Sequence, residues 1–288
     1  MRKMLTSEVR APKFAPFGKP LAAGRRRVRR RVKKPVVERP RRVQVIGFFS
    51  CKGGVGKTTV VVNVAAALAE KIPGRVLVVD ANTSAPNLGL HLGILEPRVS
   101  LQEVLVSRHP VERAIQPIPN LNLHCLLGAP RLLEERFLDL RKVIDPLREK
   151  YDFILVDTSP GLSPEVISAL RACDRIFVVV APELPTLASV LQTLRVADEH
   201  GVPVEGVILN KFKKRRYYLE EEKVPTMLGY PVCISIPEDE RVHESLWVQE
   251  PVVKHSPNSK AARKFEEFAN QILQKFGTPR LSPPQPSG

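Results

Sequence analysis

The sequence predicts an α/β fold, a doubly wound and mostly parallel sheet flanked by helices, in a single domain. Three observations carry that reading. Short apolar runs alternate with helical patterns along most of the chain. Several of those runs are almost continuously hydrophobic, as strands covered on both faces must be. The first run ends in a Gly-rich turn that opens an apolar helix, the arrangement that places ligands at the carboxyl ends of parallel strands.

Taken in order, residues 43–49 are β-branched and aromatic and predict the first strand. Further strands are expected at 75–79, 121–127, 153–156, 175–180, 204–209 and 232–236. Helices are expected at 57–70, 131–150, 164–172, 184–200 and 259–276, the second of them kinked at Pro146. In the last, Ala262, Phe265, Phe268, Ala269, Ile272, Leu273 and Phe276 share one stripe. No internal repeat is found.

The turn after the first strand reads Ser50-Cys51-Lys52-Gly53-Gly54-Val55-Gly56-Lys57-Thr58-Thr59. Glycines allow such a loop to turn its backbone N–H groups onto phosphate oxygens, and the following helix N-terminus adds its positive end. In the generic pattern G-x-x-x-x-G-K-[ST], Lys57 reaches the β- and γ-phosphates and Thr58 coordinates Mg²⁺. Cys51 stands where that pattern has its first glycine. Phe153-Ile154-Leu155-Val156-Asp157 is an apolar strand ending in a carboxylate.

The run Lys52-Gly53-Gly54-Val55-Gly56-Lys57-Thr58-Thr59, with its additional lysine near the start, resembles the deviant Walker A motif of the MinD/ParA family of P-loop ATPases. Further resemblances follow in family order over 43–277. They are Val76-Leu77-Val78-Val79-Asp80, Pro86-Asn87-Leu88-Gly89-Leu90, Asp157-Thr158, Ile208-Leu209-Asn210-Lys211, Ile236-Pro237-Glu238-Asp239 and Ser256-Pro257-Asn258-Ser259. They are closer to MinD than to ParA.

The resemblance implies a P-loop NTPase fold that binds ATP and Mg²⁺ and forms a face-to-face homodimer around two nucleotides. It implies phosphate contacts from Gly53, Gly54, Val55, Gly56, Lys57, Thr58 and Thr59, metal contacts from Thr58 and Asp157, and base-side contacts from Asn210, Pro237 and Glu238. Lys52 is expected to reach the partner copy's phosphates, supplying charge to the transferring phosphoryl group as an arginine finger does. Hydrolysis then resets attachment to a surface or partner, in processes such as cell division; the cargo and any activator protein stay unnamed.

One position departs from the family. Where an Asp-x-Asp is usual, with the second carboxylate placing the attacking water, this chain has Asp80-Ala81-Asn82. Asparagine can orient a water but cannot take its proton, so slow hydrolysis and a long-lived ATP dimer are expected, with Asp80 assisting near the metal. A nucleotide-gated scaffold with negligible turnover shares every motif. An iron–sulfur carrier of the Mrp type is disfavoured because Cys233 lacks a C-x-x-C partner, and a ligase or synthetase on the same fold lacks a substrate constellation.

Composition excludes other classes. The chain has 288 residues and a net charge of +15, but residues 1–42 hold 16 Lys and Arg against Glu8 and Glu38, a net +14. The remainder is nearly neutral, with 29 basic and 28 acidic residues. The basic segment, with eight Lys or Arg between Arg25 and Lys34 and five prolines, is expected to be a disordered tail. It could bind anionic membrane at roughly 1 kcal/mol per charge before screening, or nucleic acid through its phosphates. Residues 278–288, with four prolines, read as a second flexible tail that cannot form the amphipathic membrane helix usual in MinD proteins. Cys51, Cys125, Cys173 and Cys233 show no metal spacing, and Cys51 raises a redox role only if the helix N-terminus lowers its thiol pKa. No membrane-spanning run and no signal peptide are present, so a cytoplasmic protein is expected, peripheral on membrane or nucleoid.

Overall fold

A computed structural model describes residues 43–130, 139–213 and 220–277. The two expected tails, and residues 131–138 of the expected helix 131–150, lie outside the described residues.

Eight strands are described: β1 (Gln44–Phe49), β2 (Val76–Asp80), β3 (Ile115–Ile118), β4 (Leu123–Leu126), β5 (Phe153–Asp157), β6 (Arg175–Val180), β7 (Val204–Phe212) and β8 (Val232–Pro237). They form one sheet in the order β3-β4-β2-β5-β1-β6-β7-β8. Every pairing is parallel except β3 with β4. The seven expected strands all appear, and β3 is an addition. Its short Ile-Gln-Pro-Ile run carries Pro117, which a sheet tolerates at an edge because proline donates no ladder bond.

The helices are α1 (Lys57–Lys71), α2 (Leu101–Leu105), α3 (Val111–Ala114), α4 (Arg141–Ile144), α5 (Pro164–Ala172), α6 (Leu184–Glu199), α7 (Val224–Leu228), α8 (Glu240–Trp247), α9 (Val252–His255) and α10 (Lys260–Phe276). Pro146 acts as expected: α4 ends before it, and Asp145–Leu147 tightens into a 3-10 turn.

Alternation along the buried strands builds two cores. Ile46 and Phe48 of β1 face a layer with α1, α9 and α10, where Phe265, Phe268 and Ala269 are fully buried. Val45 and Phe49 face the opposite layer, with Val166 and Leu170 of α5 and Leu194 of α6. The stripe of α10 is therefore core. Among the described residues no helix is long and apolar enough to cross a membrane.

This topology fixes where the site must be. β1 lies between β5 and β6, so the chain leaves the sheet centre in opposite directions on its two sides. That switch point opens a crevice at the carboxyl ends of the strands. The register places Asp80 beside Asp157 there.

Candidate active site

The loop between β1 and α1 lines a cleft of about 560 Å³ at this switch point. Gly54 and Gly56 adopt left-handed φ values of 79° and 83°, which glycine accepts without the cost a Cβ imposes. At Gly56 space is closed as well, because a Cβ there would strike Asn210 Nδ2. No side chain caps α1, and its first turn has no acidic residue. Its first-turn N–H groups therefore face the loop without an intrahelical acceptor, a donor set that fits phosphate oxygens.

The charged groups are already organised. Lys57, 7 % exposed, donates from Nζ to Asp157 Oδ1 at 2.6 Å and to the Thr158 carbonyl. Thr58 Oγ1 donates to Asp157 Oδ2 at 2.6 Å and lies 3.0 Å from Asn87 Oδ1. Thr58 and Asp157 thus offer adjacent hard oxygens, which suits Mg²⁺; when bound, that ion neutralises charge on the phosphate oxygens.

Asp80 is buried beside Asp157. One oxygen accepts from the Asn82 N–H at 3.2 Å, and the other accepts from Asn87 and Leu88 N–H at 3.0 and 2.9 Å. Burial, then repulsion from Asp157, pushes its carboxyl up to about 7 against these lowering bonds. Asn82 closes on its own loop: Nδ2 donates to the Ala85 carbonyl at 2.5 Å, and Oδ1 accepts from Ala85 N–H at 3.2 Å.

Lys52 stands at the cleft mouth, with its side chain 57 % exposed and paired at 3.1 Å with Glu183. Gly53, Val55 and Thr59 also line the cleft. The base-side residues are not gathered there. Asn210 is buried and donates from Nδ2 to the Val55 carbonyl at 2.8 Å. Pro237 lines a separate pocket of about 350 Å³, and Glu238 pairs with Lys213.

The condition for a redox role at Cys51 is not met. Its Sγ turns toward α6, 2.6 Å from the Ser189 carbonyl and from Thr193 Oγ1, and burial pushes the thiol up rather than down. Among the described residues no His, Cys, Asp and Glu cluster could hold a metal ion.

Four site residues escape the sequence reading. Glu165 in the first turn of α5 accepts from Ser84 Oγ at 2.9 Å and from the hydroxyls of Thr83 and Ser159. His91 places Nε2 3.3 Å from Thr59 Oγ1, and desolvation lowers its pKa. Asn87 adds its amide to Thr58, and Lys211 donates to the Gly54 carbonyl at 2.7 Å. Asn87 and Lys211 lie in stretches the sequence already singled out without a role for them, Ser163-Pro164-Glu165 has the Ser-Pro-acid pattern of a helix start, and His91 left no signal.

Comparison with known proteins agrees with this geometry. A family model described as an AAA domain matches residues 43–200, and one described as cellulose biosynthesis protein BcsQ matches 129–273. The septum site-determining protein MinD of Thermotoga maritima is 28% identical over 239 residues, covering 79% of this chain and 87% of that protein. The chromosome partitioning protein ParA of Myxococcus xanthus is 25% identical, covering 81% and 88%. Among solved structures, Pyrococcus horikoshii MinD complexed with Mg-ADP is 32% identical with a TM-score of 0.76, covering 82% of this chain and 98% of that one. A chain of the Aquifex aeolicus MinC:MinD cell division protein complex is 26% identical with a TM-score of 0.73, covering 85% of this chain and 100% of that one. A phosphate loop with two lysines, a strand-end aspartate beside it and this sheet order place the chain in the MinD/ParA family of P-loop ATPases.

Proposed function

We propose that the protein is an ATP-dependent dimerising switch that hydrolyses ATP slowly and so controls the position or partition of a cellular component. The observation that carries this reading is Lys52. Its ammonium lies at the cleft mouth on an exposed ion pair with Glu183, while Lys57 is turned inward to Asp157. Exposed pairs of this kind contribute about 0–1 kcal/mol, so Lys52 exchanges Glu183 for a second copy's phosphates at little cost. A positive charge arriving in trans stabilises the transferring phosphoryl group.

Within each copy the α1 N-terminus and the loop N–H groups bind the phosphates, Lys57 neutralises them, and Thr58 with Asp157 holds Mg²⁺. Asp80 fixes the loop from Asn82 to Leu88. Asn210 with Pro237 and Glu238 forms the base side. The basic tail provides nonspecific attachment to a polyanionic surface, which makes the protein a peripheral one on membrane or nucleoid, otherwise in the cytoplasm.

Phosphate release from Mg·ATP tests the enzyme reading. Turnover above that of Lys57→Ala and lost in Lys52→Ala supports it; ATP binding without turnover supports a second reading, a nucleotide-gated scaffold. Asn82 favours the second, because its amide already closes on Ala85 and asparagine takes no proton. Asn82→Asp is expected to accelerate release, and unchanged fast release contradicts the slow switch. For the tail, pelleting with anionic vesicles or with DNA, with residues 1–40 present or deleted, decides whether it binds either surface.

A further inference from the structure

Hydrolysis of ATP requires a water to lose a proton as it attacks phosphorus, and four carboxylates stand near this phosphate loop, of which Glu183 is paired with Lys52. Asp157 has one oxygen on Lys57 and the other on Thr58. Asp80 accepts from three backbone N–H groups, using both oxygens. Glu165 differs. It is the acidic side chain among the described residues that line the cleft, and its described hydrogen-bond partners are the hydroxyls of Thr83, Ser84 and Ser159. Hydroxyls donate and accept at once, so they can pass a proton where a lysine or a backbone N–H cannot.

Ser159 is the connecting group. Its Oγ lies 2.8 Å from Asn82 Oδ1 and within hydrogen-bond reach of Glu165 Oε1. One hydroxyl proton serves one acceptor at a time, and the charged carboxylate is the stronger. With its proton turned to the carboxylate on α5, Ser159 Oγ has its lone pairs left to accept from a water in the cleft it lines. We propose that Glu165 is the positioning residue for the attacking water in this chain, acting through Ser159 and receiving the proton through it.

The step balances as follows. The water oxygen bonds to the γ-phosphorus, and the bond from that phosphorus to the bridging oxygen breaks, its electron pair leaving with ADP. The water's proton moves to Ser159 Oγ as the Ser159 proton moves to Glu165, and Glu165 later returns it to solvent. This inference rests on the hydrolytic reading above.

The test compares phosphate release by the full chain with Mg·ATP for wild type, Glu165→Gln, Ser159→Ala, Asn82→Asp and the double variant Glu165→Gln/Asn82→Asp, with Lys57→Ala as background. Binding of a fluorescent ATP analogue and thermal melting report folding for each. Expected are a fall in kcat of about 10²-fold in Glu165→Gln, with KM and analogue affinity within about twofold, and a similar fall in Ser159→Ala. Asn82→Asp should restore turnover in the double variant, since it returns a carboxylate to the cleft. A Glu165 that merely ties the two loops together moves melting or KM and is not rescued by Asn82→Asp. Wild-type kcat in Glu165→Gln, or a loss that Asn82→Asp leaves in place, overturns the role of Glu165 alone. If Glu165→Gln fails to melt cooperatively, Ser159→Ala decides, and wild-type kcat there overturns it. Wild-type release no faster than Lys57→Ala overturns the hydrolytic reading and this role with it.

Discussion

The phosphate side and the base side of the switch point are built differently. On the phosphate side, Lys57, Thr58 and Asp157 form one buried hydrogen-bonded network. On the base side, Asn210 spends its amide on the phosphate loop itself, Pro237 lines another pocket, and Glu238 is held by Lys213. A phosphate site made of backbone N–H groups and two charged side chains depends on one short segment and one strand end. A base site depends on separate surface pairs. The first is pre-organised and the second is not, so the two sides should respond to substitution on different scales.

The largest effect is expected from Lys57→Ala. It leaves Asp157 buried beside Asp80 without its cation, which costs about 3–5 kcal/mol, and it removes ATP binding; urea unfolding and nucleotide titration check both. Asp80 gives the next effect. Below about 7 its native carboxyl keeps a proton that the unfolded chain releases above the ordinary 3.8. The native state then binds more protons, so this group makes stability fall as pH rises through that window, at up to about 1.4 kcal/mol per pH unit. Unfolding of the nucleotide-free protein at pH 5 and 7, compared with Asp80→Asn, isolates the slope, which should flatten in the variant.

Gly56→Ala puts a Cβ at a left-handed φ and against Asn210. A loss of about 1–2 kcal/mol or more is expected in melting experiments, with weaker ATP binding because the loop must shift. Glu238→Ala breaks a partly exposed pair, and its stability should stay within about 0.5 kcal/mol of wild type. A large loss of ATP affinity there would blur the contrast between the two sides. Glu183→Gln should do least to the isolated chain. By releasing Lys52 it should tighten the ATP-bound dimer by up to about fivefold, read from the concentration dependence of sedimentation.

The same contrast governs what the sequence discloses. The glycines, the two lysines and the threonines of the phosphate loop are consecutive, and Asp157 ends a strand whose apolar run announces it. Glu165 meets Thr83 across 82 positions of sequence, and no local pattern encodes that distance. Helix α8, absent from the sequence expectation, hides for another reason: Ser245 is its buried residue, Val242 packs only partly on the core and Trp247 is 89 % exposed, so its apolar face is short. β3 is hidden by Pro117 and by its length of four residues. The charge shows the same division, with 29 basic and 28 acidic residues over 43–288 and a net +14 over 1–42.

The central claim is that ATP joins two copies through their phosphate sides, with Lys52 of each reaching the other. Light scattering on the purified full chain with Mg·ATP, with Mg·ADP, and with the Lys52→Ala variant tests it most directly. The claim predicts a doubled mass with ATP that persists while ATP lasts, a single-copy mass with ADP, and a single-copy mass for Lys52→Ala in either nucleotide. A mass that is the same with ATP and ADP, or a Lys52→Ala protein that dimerises like wild type, would contradict it.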